Sequence, residues 1–257
     1  MRGLRGPVRV VEREAQVFAR LWRGSVFTSI VTPVMFLGAM GLGLGGLVDD
    51  ADRLGGLDYL AFVAPGLLVA SSVQSAAGES LWPVMAGHKW IGTFHAMAAT
   101  PLRPGDVFVG FVAWNCIRAG GAAAIFLVVA TLLGGVGSWW APLAVPAAVL
   151  CVAAFSSLLS AFAVRQDTDL PFTLIMRLGI LPLFLFSGTF FPVEQLPDRV
   201  EPLAVVSPLW HGVELARSAT TGTTDPGAAV VHVAVLVTIT AAAGWWGVRG
   251  FQARLAP

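Results

Sequence analysis

Lysine is almost missing from this chain: Lys89 stands alone against fifteen arginines. A phosphate-cradling Gly-Lys-Ser/Thr loop needs a lysine followed by a hydroxyl, because the ammonium meets the phosphates and the hydroxyl meets magnesium. Lys89 lies between His88 and Trp90, so no such loop is present, and any work drawn from a nucleotide has to come from another polypeptide. Cysteine is limited to Cys116 and Cys151, both inside apolar runs, which argues against a disulfide framework or a Cys-x-x-Cys metal or redox pair and for small buried hydrophobes. Charged residues make up 12%, against roughly 25% in an average soluble domain, and the net charge of +1 leaves no electrostatic footprint for a nucleic acid. No His-Glu-x-x-His or Gly-x-Ser-x-Gly run occurs, and His88 and His95 have no Asp, Glu or Cys at ligand spacing, so neither a catalytic nor a metal centre is expected.

Apolar sequence is what the chain has in abundance, with 56% hydrophobic residues. Six runs, 25–48, 59–81, 107–133, 140–164, 170–191 and 228–248, meet the requirement of about 20 residues for a helix crossing roughly 30 Å of hydrocarbon. The expected fold is therefore all-α and polytopic: six transmembrane helices, an N-terminal amphipathic interface helix, and short external re-entrant helices. Prolines inside the runs, such as Pro33, Pro65, Pro146 and Pro182, are tolerated where neighbours satisfy the freed backbone groups. The run from Gly24 to Leu47 exceeds the roughly 7–15 residues of a signal h-region and is read as a retained first span. Before it, residues 7–23 place Arg9, Arg13, Gln16, Arg20 and Arg23 on one helical face and Val8, Val11, Ala15, Phe18 and Trp22 on the other, the pattern of a helix lying in the membrane interface.

Arginine and lysine bias sets the orientation. With the N-terminus cytosolic, the inner segments hold Arg2, Arg5, Arg9, Arg13, Arg20, Arg23, Lys89, Arg103, Arg165, Arg249 and Arg254, and the outer ones only Arg53, Arg199 and Arg217. Both termini are then expected in the cytosol. Trp22, Trp82, Trp90, Trp245 and Trp246 fall at inner borders and Trp139, Trp140 and Trp210 at outer ones, where amphipathic rings favour the headgroup level. Two connections exceed what packing requires. The cytosolic one contains a short helical stretch, 92–99, ended by Pro101; the external one, 192–227, is broken by Pro192, Pro197, Pro202 and Pro208. Asp167 and Asp169, beside Arg165, are read as a solvated helix cap.

Three passages carry a likeness. The first is Gly92-Thr93-Phe94-His95-Ala96 through Ala99-Thr100-Pro101-Leu102, followed by Asp106, Trp114 and Arg118; the second is Arg165-Gln166-Asp167-Thr168-Asp169. The third and most specific runs Leu185-Phe186-Ser187-Gly188-Thr189-Phe190-Phe191-Pro192-Val193-Glu194-Gln195-Leu196-Pro197, then Ser207-Pro208-Leu209 and Glu214-Leu215-Ala216-Arg217. In these the chain resembles the membrane subunits of ATP-binding-cassette type-2 exporters, nearest to the permeases of nodulation-factor (lipo-chitooligosaccharide) and daunorubicin-type drug exporters. The resemblance implies one transmembrane domain over 1–257 in a bacterial inner membrane. It also implies a second copy or related permease as partner, and a separate nucleotide-binding subunit that carries ATP and Mg, so that this chain binds no cofactor. The cargo it implies is amphiphilic: a drug, a lipid-linked glycan or a secondary metabolite.

On that resemblance the region 88–101, with Lys89, Trp90, Gly92, Thr93, Phe94, His95 and Pro101, is the expected coupling segment, and the arginine face of 7–23 a second contact. His95 stands where many relatives carry an acid, so no particular ion pair is carried over to it. Inside the spans Arg118 and Arg177 are the costly charges, at about 2.5–3.5 kcal/mol for a central arginine. Arg177 is placed to snorkel to the inner headgroups. Arg118 has two readings: about 16 Å deep if the helix enters lipid at Val107, or shallow if Trp114 marks the belt, the second also explaining Trp114. A Glu79–Arg118 pair would tie the second and third spans together. Phe186 and Phe190, with Phe184 and Phe191, are candidates for lining a substrate path. Gly41, Gly43, Gly45, Gly46 and Gly188 mark first- and fifth-span faces for dimerisation. The alternative is a six-span channel or a non-transporting structural subunit, although no span carries the polar stripe of a pore.

Overall fold

The computed structural model describes residues 5–39, 58–197, 199, 201–223 and 225–255. Among them no strand occurs. The helices are α1 (Arg5–Gly38), α2 (Tyr59–Met85), α3 (Thr93–Ala98), α4 (Pro104–Leu132), α5 (Ala144–Ala163), α6 (Leu170–Leu174), α7 (Leu181–Phe186), α8 (Glu201–Val206), α9 (Pro208–Thr221) and α10 (Pro226–Leu255). A π-helical turn, Ala86–Trp90, prolongs α2, and a second, Ile175–Ile180, joins α6 to α7. Among the described residues four segments are long and apolar enough to cross a membrane: Tyr59–Trp90, Pro104–Leu132, Ala141–Ala163 and Pro226–Leu255.

Local signals explain the clearest boundaries. Pro104 opens α4, and the Asp106 carboxylate accepts the Arg103 N–H at 3.1 Å, satisfying a donor that the first turn leaves free. Ser207 starts α9 by accepting the Leu209 N–H at 3.2 Å, with Pro208 at the first helical position.

Three expectations need correction. Residues 7–23 are not a separate interface helix but the first part of α1, which continues unbroken to Gly38. No proline interrupts 21–26, and Gly24 alone costs about 1 kcal/mol relative to alanine, too little to end a helix that packs. The expected first span, 25–48, passes in part outside the described residues, as do Gly41, Gly43, Gly45 and Gly46. The fifth run, 170–191, is helical only to Phe186 and widens into the π turn ahead of Pro182. Proline has no N–H for the carbonyl four residues back, so the ladder must loosen there. The last helix is longer than 228–248 at both ends.

The molecule has two ends. At one lie α3, Lys89 of the π turn, Asp167 and Arg254, joined by ion pairs. At the other, Arg217 of α9 contacts Phe62 of α2 and Gly188 beyond α7. α2, α5 and α10 run toward the α3 end; α4 and the α6–α7 passage run away from it. α1 also runs away, from Val10 against Gly110 of α4 to Phe36 against Phe190.

α5 is the central strut, packing on α2, α4, α9 and α10. Its alanines, among them Ala148, Ala154 and Ala161, are buried and let the neighbours approach closely. One polar knot interrupts this core. Ser80 of α2 donates to Ser156 of α5 at 2.9 Å, and the Asn115 amide of α4 donates to both, at 3.2 and 3.0 Å. Three helices are thereby held in one register, with no buried hydroxyl of the knot left over.

α10 presents Ala243, Gly247 and Gly250 inward. A methyl group on Gly247 would collide with the Phe108 ring, whereas one on Gly244 would meet nothing within 4 Å. Gly247→Ala is therefore expected to lower stability by about 1–3 kcal/mol. Gly244→Ala should be neutral or slightly stabilising, since alanine is the better helix former. Thermal denaturation of the two variants in the same detergent compares them directly; equal midpoints would refute the tight packing of α10 on α4.

Candidate functional site

The α3 end is built as a rigid prow. The π turn carries Lys89 and Trp90 out of α2, and Gly92, at φ 75°, reverses the chain in a conformation that residues with a Cβ rarely adopt. α3 follows at once. Trp90 and Ile91 are 54% and 73% exposed, while Phe94, four residues on from Trp90, is 2% exposed. The Phe94 ring packs against Phe111 of α4 and Phe251 of α10, with centroids 5.8 and 5.6 Å away, and Phe251 in turn meets Phe108 at 5.3 Å. Gly87 makes room, since a Cβ there would lie 2.6 Å from the Phe94 ring. His95 Nε2–H donates to the carbonyl of His88 at 2.9 Å, closing the turn on itself. Pro101 is exposed just beyond α3.

Beside α3 runs α1. Arg9, Val10 and Arg13 line an open cavity of about 360 Å³ together with Thr93, Met97 and Leu102. Its floor is apolar and its rim cationic, although Arg9 is bound to Glu12 at 2.8 Å and Arg13 to Glu14. The buried face of α1 centres on Val10, wedged against Gly110; Val8, expected on the apolar face, is exposed. The face follows the partner helix α4 rather than a lipid plane. Arg20 is exposed, and the side chain of Arg23 lies outside the described residues.

Asp167 is not a helix cap. Its carboxylate lies 3.7 Å from Lys89 Nζ and 3.3 Å from Arg254 Nη2, so one acid joins the π turn, the α5–α6 link and the end of α10. Asp169 precedes α6 without a capping hydrogen bond.

Glu79 and Arg118 are brought together, 2.8 Å apart, and the guanidinium also lies over the Phe18 ring of α1 at 5.3 Å. Trp114 packs edge-on against the same Phe18 at 5.7 Å. It is buried between helices instead of marking a headgroup belt, so the argument it supplied for a shallow Arg118 falls away. Arg177 is exposed on the π turn and has no ion pair among the described residues. Phe190 packs between Phe184 and Phe36, and Phe186 is partly exposed beside Phe191.

Sequence reasoning missed the opposite end. Arg217, counted there as a loop charge, is 8% exposed. It donates to the carbonyls of Gly188 and Phe62, pairs with Glu214, and stacks over the Phe62 ring at 3.9 Å. Burial pushes its guanidinium pKa down, and Glu214 and Glu194 oppose that shift. Glu214 and Arg217 at three-residue spacing were the available signal. His211 and His232, 2.7 Å apart at the same end, gave none.

Four long apolar helices in one bundle, with a short helix projecting at one end, define a class: the multi-pass membrane protein. Residues 8–220 match the family described as ABC-2 type transporter. The chain is 34% identical over 217 residues to Nodulation protein J of Rhizobium leguminosarum bv. viciae, covering 82% of this chain and 80% of the relative. It is 33% identical over 216 residues to Nodulation protein J of Sinorhizobium fredii, covering 82% and 79%. The chain belongs to the ABC-2 type transporter family: it is the membrane component of an ABC exporter, in a family that works with a separate ATP-binding subunit.

The Glu79–Arg118 contact makes a direct prediction. A reversed charge at either position sets like charges against each other between the last turns of α2 and the middle of α4, and an unpaired arginine within a membrane helix costs about 2.5–3.5 kcal/mol. Glu79→Arg and Arg118→Glu should each lower the yield of folded protein and its thermal midpoint, and the exchanged double variant should recover much of the loss. A double variant no better than the worse single one would show that the two charges act separately.

Proposed function

We propose that this chain is the permease half of an ATP-driven exporter, moved by a nucleotide-binding subunit that grips the α3 end. The observation that carries this reading is the split environment of Trp90–Ala98: an exposed leading edge set on one buried ring, Phe94, which touches α4 and α10 at once. Displacement applied at Trp90, Thr93 and Pro101 then reaches two long helices through a packed contact rather than a loop. Lys89, held to Asp167, and His95, held to His88, stiffen the same segment. The cavity rimmed by Arg9 and Arg13 supplies a second grip, suited to an acidic partner surface, with Arg20 and Arg23 further along. ATP and Mg belong to the partner subunit.

The remaining features are consistent with an inner-membrane exporter whose two termini are cytosolic. α1 and the α6–α7 passage in this reading join the four long apolar segments as fifth and sixth crossings, with the start of α1 and the end of α10 on the α3 side. In this reading α8 and α9 are the short helices of the outer face. The α6–α7 passage exposes Leu170, Leu174, Leu178, Leu181 and Leu185 with Arg177 among them. A surface of that kind suits an amphiphile, an apolar chain bearing an anionic head, with Phe186 and Phe190 at its outer end. A second copy of the chain, apposed through α1 and the α6–α7 passage, would enclose the path.

Co-expression with its ATPase tests the coupling. Trp90 is exposed, so Trp90→Ala should change stability by no more than about 0.5 kcal/mol while weakening capture of the ATPase. Phe94→Ala should leave the complex assembled but lose transport, with ATP hydrolysis persisting. Truncating a buried phenylalanine costs about 3–5 kcal/mol, so folded yield is followed in parallel. Variants that assemble and transport like the parent would refute the coupling role of this segment.

A further inference from the structure

At the end away from α3, two histidines meet that the coupling machinery does not use. His211 sits in the first turn of α9 and is 7% exposed; His232 lies on α10. Their Nδ1 atoms are 2.7 Å apart, with ring centroids at 5.0 Å. The Trp210 indole packs edge-on against both rings, 5.0 Å from each, and covers the contact.

The chemistry of that contact is restrictive. A neutral imidazole carries one N–H and one bare nitrogen; an imidazolium carries N–H on both. Two Nδ1 atoms at hydrogen-bond distance therefore hold a single proton between them, one donating and the other accepting. The contact tolerates the neutral pair, or a pair with one extra proton placed on Nε2 of the donor ring. A second extra proton sets two N–H groups against each other, and the bond is lost. Burial pushes the pKa of His211 down, and the neighbouring His232 pushes it the same way, so the bridged neutral form is the one held at neutral pH. A histidine kept neutral by the fold contributes stability above its ordinary pKa of about 6.5, and that contribution is lost as pH falls below it.

The titratable surroundings are sparse. Glu214, one turn along α9, acts on His232 and is itself paired with Arg217. α5, packed on both α9 and α10, contributes only Cys151. α2 offers Tyr59 and, at its far end, Glu79; α4 offers Asp106, Cys116 and Arg118 from its α3-facing half; α8 offers Glu201; and His95 of α3 lies at the other end of α10. None of these replaces the bridging proton.

We propose that His211 and His232 form a one-proton site that latches α9 to α10, and that acidification releases the latch. Because Arg217 of α9 also holds the Gly188 carbonyl, release frees the segment that follows α7 along with α9. Only the identity of the compartment whose pH is sensed rests on the orientation proposed above; the site itself does not.

The chain has four histidines, so ring nitrogens labelled with nitrogen-15 can be followed one by one in the full-length protein in lipid bilayers. At neutral pH one pair of Nδ1 signals should be coupled across a hydrogen bond. That coupling should vanish in both His211→Asn and His232→Asn, and the signals of His88 and His95 should remain. In the unsubstituted chain it should disappear on acidification below the ordinary imidazole range, as both rings become doubly protonated. Asparagine offers an amide N–H near the Nδ1 position without titrating, so His232→Asn should keep α9 docked while removing the pH dependence. Amide hydrogen exchange of 208–221, corrected for its intrinsic pH dependence, reads this: the acid-induced acceleration of the parent should be absent from His232→Asn. Missing coupling at neutral pH, or an acid step that persists in His232→Asn, would overturn the latch. Neither readout involves the ATPase or transport, so failure of the coupling reading would leave this result standing.

Discussion

Hydrocarbon offers a peptide group no partner, so each backbone N–H and C=O that crosses it must be satisfied inside its own helix or by a neighbouring side chain. The architecture follows from this demand. It makes the long segments helices, and it turns the places where the helical ladder is broken into the places where side chains matter. Pro182 removes one donor, and the chain widens into a π turn there; after Phe186 it bends at Gly188, whose carbonyl is taken by Arg217. A buried guanidinium is expensive in such a setting, but it replaces the hydrogen bonds that the bent backbone has lost.

The same demand makes polar side chains rare and each one specific. Lipid provides little hydrophobic drive between helices, so register has to come from close packing and from a few directional bonds. The knot of Ser80, Asn115 and Ser156 fixes α2, α4 and α5 against one another. The Glu79–Arg118 pair lies on the same two helices α2 and α4, and Phe18 draws α1 to the group. Together these fix the α3-facing half of the bundle as one body. The α6–α7 passage belongs to it far less, with exposed leucines and a loosened turn.

Much of this was legible in the sequence, and what was not has identifiable causes. Apolar run length located α2, α4 and α5 closely and the start of α10, though not its end, because hydrocarbon thickness imposes a length that a sequence cannot hide. The junction at 21–26 was misplaced because a change in composition, arginine-rich to apolar, looks like a boundary although the backbone has no reason to stop. Trp114 was misread for a related reason: a tryptophan next to an arginine resembles a belt residue until Phe18 is seen covering it. Arg217, His211 and His232 are defined by contacts between segments from 21 to 155 residues apart. Apart from the Glu214–Arg217 spacing, local sequence carries no trace of such contacts, and a lone histidine in an apolar helix gives no hint of its partner.

The two ends of the molecule differ in the kind of contact they use. The α3 end depends on rings: Phe94, Phe108, Phe111 and Phe251 interlock without directional bonds, and such a contact transmits a push while allowing small changes of angle. The opposite end depends on charge and hydrogen bonds, Arg217 to three acceptors and His211 to His232, which are either made or broken. Bonded interfaces of that kind switch between discrete arrangements. Any displacement of the ring cluster, by contrast, is shared by α4 and α10, the helices that carry Phe108, Phe111 and Phe251. α10 bears on both ends, with Phe251 in the aromatic cluster and His232 in the histidine pair, and it is the helix through which the two are most directly joined.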